Sequence, residues 1–120
     1  WRARDGAASA ALASHVTMRP CAKVDFDLVY VSALGARAGA GDSAGPALLG
    51  EADKFVPVSP TRFTSWNVEA GRGVATLRGV AGERVDVAFW SEGKVVSAAC
   101  VVGASGDATV AVRKGVATCA

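Results

Sequence analysis

Gly41-Asp42-Ser43-Ala44-Gly45-Pro46 sets a serine hydroxyl on a glycine-flanked loop. His15 is the single histidine. Asp25 and Asp27 are two apart, so their carboxylates share one face of a strand and could contribute to a calcium site. Calcium needs about six to eight oxygens, and no D-x-D-x-D-G loop supplies them, so a solvated strand face is expected. Trp66 and Trp90 would stack sugar rings if they stood on an exposed sheet face. Filling the core or covering a sheet edge is the more ordinary use of a strand tryptophan. Cys21, Cys100 and Cys119 match no metal-ligand spacing, since nothing resembles C-x-x-C and one histidine cannot complete a set. No metal or cofactor site is expected.

The elements that must carry these groups read as strands. Arg84 to Arg113 divides into three: Val85, Val87 and Phe89 alternate with Asp86, Ala88 and Trp90; Lys94 to Val102 follows; Ala108 to Arg113 sets Val110 and Val112 against Thr109 and Ala111. Ser91-Glu92-Gly93-Lys94 is a tight turn with glycine where positive φ is needed, and residues 103–107 form a second turn. Lys23 to Val31 alternates Val24, Phe26 and Leu28 with charged residues, as in an antiparallel sheet with one wet face. His15 to Met18 is a further short strand, stopped by Arg19-Pro20. Lys54 to Val58, marked as an edge by Pro57, Thr61 to Val68 and Val74 to Arg78 are also expected as strands. Residues 35–50 read as a long Gly/Ala/Ser/Pro loop and residues 1–14 as an Ala-rich arm or short helix. Seven or eight short strands at regular spacing predict an all-β antiparallel sandwich over 15–120.

At 120 residues the chain can bury one self-sufficient core, and 51% hydrophobic residues exclude wholesale disorder. No apolar run approaches the roughly 20 residues of a membrane-spanning helix. A net charge of +2, with acids and bases interleaved and no aromatics beside the basic residues, argues against nucleic acid. The chain begins at Trp1, which leads us to expect a processed mature chain or an excised fragment. Cys100 falls mid-strand and reads as a small buried apolar residue. Cys21 and Cys119 lie near the two ends of the folded unit, and a disulfide between them would tie the termini if the first and last strands are neighbours.

The run Gly82-Glu83-Arg84-Val85-Asp86-Val87, followed after a turn by Gly106-Asp107-Ala108-Thr109-Val110-Ala111-Val112, resembles the strand phrasing of bacterial immunoglobulin-like domains. The antibody-type tryptophan flanked by paired core cysteines is absent. The resemblance implies an Ig-like or related sandwich serving as a non-catalytic spacer, adhesion or assembly module in secreted, surface or phage structural proteins. It transfers no functional residue. The box around Ser43 resembles the GDSGGP box of trypsin-like serine proteases, in which the serine is the nucleophile, with Ala44 in place of the glycine after it. The resemblance implies His15 as the base, with Asp25 or Asp27 between the two in the chain as the acid. That family builds its triad across two barrels, whereas His15 and Ser43 are 28 residues apart with one strand between them. A plain loop is therefore expected at Ser43, and a small serine hydrolase is the least favoured of three functions. First stands a structural or protein-interaction module of a secreted, cell-surface or virion assembly, with a protein partner or self-assembly. Second stands a carbohydrate-binding module using Trp66 or Trp90.

Overall fold

The computed structural model describes residues 45–120 apart from Ala52 and Phe55. Within them the chain is all-β, with seven strands in two antiparallel sheets stacked as a β-sandwich. Strands β1 (Ala47–Glu51), β4 (Arg84–Ser91) and β5 (Lys94–Val101) form one sheet in the order β1-β4-β5. Strands β2 (Phe63–Glu69), β3 (Arg72–Arg78), β6 (Asp107–Arg113) and β7 (Val116–Cys119) form the other, in the order β2-β3-β6-β7. The N-terminal arm and the strands expected over 15–18 and 23–31 lie outside the described residues.

Period-two alternation dictates which residues meet between the sheets. Val85, Val87 and Phe89 point inward from β4, Ala75 and Leu77 from β3, and Val110 and Val112 from β6. Leu77, Val87, Phe89, Val110 and Val112 are wholly buried, and each such side chain contributes about 1.5–3 kcal/mol of hydrophobic stabilisation. Cys100 and Val102 complete the core from β5 and the residue after it.

Three hairpins share one end of the sandwich. Their turns, Ala70-Gly71, Glu92-Gly93 and Lys114-Gly115, each hold two residues at positive φ, between 47° and 78°. That is the type I′ geometry whose twist matches paired strands, and glycine at the second position meets its demand without strain. We call this the hairpin end. The longer connections, 52–62, 79–83 and 102–106, gather at the opposite, loop end.

Several expectations are corrected. The three strands expected over Arg84–Arg113 are present and are divided between the sheets, because the chain crosses from β5 to the opposite sheet to make β6. Part of the loop expected over 35–50 is strand: β1 pairs Ala47 with Trp90 and Leu48 with Phe89, then bulges before Gly50. Lys54–Val58 is not a strand; the described residues of this stretch form a turn whose Pro57 carbonyl accepts the Glu51 amide at 3.0 Å. β7 follows a two-residue turn and was not expected at all.

Candidate functional site

Arg62, in the turn before β2, is the electrostatic hub of the loop end. Its Nε and Nη2 donate to the two carboxylate oxygens of Glu51, both at 2.8 Å. Nη2 also donates to Glu83 Oε1 at 2.7 Å, and Nη1 to Glu83 Oε2 at 3.0 Å and to the Arg78 carbonyl at 2.8 Å. All five guanidinium N–H groups are thereby used, the full donor capacity of the side chain. The pairing explains how Glu51 can be 2% exposed while charged. Arg62 in turn is held more firmly protonated than a free arginine, chiefly by its hydrogen bond to Glu51 and then by that to Glu83. The Glu83 carboxyl is drawn down to about 2, mainly by Arg62 and next by the Val80 amide that donates to it. Glu51 ends β1, Arg78 ends β3, and Glu83 immediately precedes β4, so one guanidinium joins the two sheets.

The opposite lateral edge is joined covalently. Cys100 of β5 and Cys119 of β7 form a disulfide, with Cα atoms 5.6 Å apart. β5 and β7 are edge strands of different sheets, so the bond closes the sandwich along one side. This corrects the expected Cys21–Cys119 bridge: Cys119 is taken by Cys100, and Cys21 lies outside the described residues. Cys100 is 2% exposed, as a core residue should be, but it is half of a crosslink rather than a free apolar filler. At the hairpin end the Gly115 amide donates to the buried Ser91 hydroxyl at 3.2 Å, a third tie between sheets.

The two candidate tryptophans part company. Trp66 turns inward, packs against the core, and stacks on Phe89 of the other sheet with ring centroids 5.7 Å apart. Its ring occupies the space over Gly73 where any side chain would stand. It is partly buried and fills space against the core. Trp90 lies on the outer face of β4, opposite to Val85, Val87 and Phe89, half-buried and flanked in register by Ala47 and Val95. Ser43, His15, Asp25 and Asp27 lie outside the described residues. Among the described residues no group of three His, Cys, Asp or Glu side chains is arranged to hold a metal ion, and no helix is long and apolar enough to cross a membrane.

Two surface features stand out where the sequence showed only scattered residues. Of the six exposed valines among the described residues, Val56 at 62%, Val58 at 44%, Val80 at 75% and Val101 at 65% lie toward the loop end, while Val68 and Val116 flank the hairpin-end turns. Val56 and Val58 follow β1, Val80 belongs to the turn pinned by Glu83, and Val101 ends β5 opposite Arg84. Basic residues collect at the hairpin end, where Arg72, Lys94, Arg113 and Lys114 border the three turns. Sequence reading placed neither group, because both depend on which strand ends the topology brings together. Compared with known proteins, the chain matches no protein-family model, no curated sequence and no solved structure.

Proposed function

We propose that the protein is a non-catalytic structural or interaction module of a secreted, cell-surface or virion assembly, built on an Ig-like or related sandwich. The observation that carries this reading is the group of exposed valines at the loop end, Val56, Val58 and Val80 on the connections that Arg62, Glu51 and Glu83 tie together and Val101 at the end of β5. Apolar side chains on a pre-ordered frame bind a protein partner with little ordering cost. The Cys100–Cys119 bond supports an oxidising compartment, where such crosslinks persist. The test is native extraction of the tagged protein from its source cells under thiol-blocking conditions. The expected result is a disulfide-bonded chain in the extracellular or surface fraction, running in a complex that Val56→Ser/Val80→Ser weakens. A reduced monomer in the cytosol would refute the reading.

A carbohydrate-binding role through Trp66 or Trp90 is the second reading, favoured more by Trp90, which stands on the outward face of β4.

A further inference from the structure

We infer that the hairpin end is a binding site for a sulfated polysaccharide, gripped by Arg72 and Arg113. The inference rests on the reading above, in which the module works outside the cell through its surfaces. In the register of β3 with β6, Arg72 stands directly opposite Arg113. Both point to the outer face of their sheet, since their neighbours Gly73 and Val112 point inward, and both are exposed. Directly opposed side chains have Cβ atoms about 5 Å apart, and like charges there destabilise the sheet. The same two strands solve this problem at their other end, where Arg78 faces Asp107 and the groups approach to 3.6 Å. A strand pair that is charge-matched at one end and charge-opposed at the other breaks its own local rule. Such breaks mark functional positions.

The surroundings favour an anion over a structural counterion. Lys114 occupies the adjoining turn, and Lys94 begins β5 beside Gly115. Glu69 faces Arg72 from β2, and Glu92 lies in the neighbouring turn, leaving four cations against two carboxylates. Among the described residues no carboxylate comes within 4.0 Å of Arg72, Arg113, Lys94 or Lys114. Two adjacent guanidinium forks match the oxygens of sulfate esters, and a repeating polyanion would engage the lysines in the same event. The row Glu69–Arg72–Arg113–Val116 contains no aromatic ring. Nothing there offers the stacking platform that a single-stranded nucleic acid would use. Three two-residue turns fix the backbone beneath these groups, so little order need be gained on binding.

The test is binding of the full, oxidised chain to heparin, with desulfated heparin and a single-stranded oligonucleotide as comparison probes. Wild type is expected to bind heparin and to ignore the desulfated polymer. Arg72→Thr/Arg113→Thr should bind at least about tenfold more weakly, with a salt dependence shallower by roughly two ion pairs. Arg84→Ala, at the other end of the molecule, should bind as wild type does. The double variant should remain folded by circular dichroism and unfold no earlier, because threonine suits a strand and the opposed charges are gone. Absence of heparin binding, equal binding by the double variant, equal binding of desulfated heparin, or preference for the oligonucleotide would each overturn the inference. With the native protein still found in an extracellular complex, those outcomes sink this site alone. A reduced cytosolic monomer would sink the broader reading whatever heparin does.

Discussion

Replacing Arg62 by methionine keeps most of the apolar stem and removes the guanidinium, which isolates what the ion pairs contribute. Glu51 would lose both 2.8 Å hydrogen bonds while remaining 2% exposed, and the Arg78 carbonyl would lose its side-chain donor. Breaking a buried pair from one side costs about 3–5 kcal/mol, because the remaining charge is stranded. Here the Arg62 and Glu83 side chains are 19% and 28% exposed, so water shares the load and the lower bound applies, about 3 kcal/mol. Urea unfolding followed by tryptophan fluorescence reads this directly, since Trp66 reports the core. Glu51→Leu/Arg62→Met should recover to within about 1 kcal/mol of wild type, because no charge is left buried. Arg62→Lys should recover only part, since one ammonium cannot fork onto two carboxylates. A loss below about 1 kcal/mol in Arg62→Met, or a double variant no more stable than the single, would refute the argument.

Two further outcomes are expected. Cys100→Ser/Cys119→Ser should lose about 3 kcal/mol, the chain-entropy value for a bond spanning 19 residues, and reductant should leave the variant's unfolding midpoint unchanged while lowering that of wild type. Glu83 gives a pH signature: its folded carboxyl titrates near 2 against an ordinary 4.5, so between those values the unfolded chain binds more protons. Its stabilisation is therefore complete above pH 4.5 and is lost as pH falls through about 2. In Glu83→Gln, acid titrations of stability should be flatter across that window.

What the sequence made legible was local. The β4–β5 hairpin could be read from alternating valines and Glu92-Gly93, because period and turn type are written in adjacent residues. The crossing from β5 to β6 could not, since alternation says which face is buried and never which sheet a strand joins. β1 hid inside a small-residue loop because its five residues include a bulge, and Lys54–Val58 imitated a pleat it does not form. The disulfide was misassigned for the same reason as the basic cluster was missed: both are products of topology. Glu83 was visible only as one acid among interleaved charges. Its partnership with Glu51 needed Arg62, whose turn brings residues 11 and 21 positions away onto one guanidinium.

The three type I′ turns have a consequence for how the chain folds. Each joins strands that pair at once, so six of the seven described strands can find their register through contacts only a few residues apart. Short-range closure of this kind is fast and costs little loop entropy. The search that remains is the docking of preformed ribbons: β3 against β6, β1 against β4, and sheet upon sheet. Cys100 and Cys119 belong to different ribbons, so their bond records that docking has already been achieved. Oxidation therefore acts on this fold as a latch set after assembly, and not as a guide toward it.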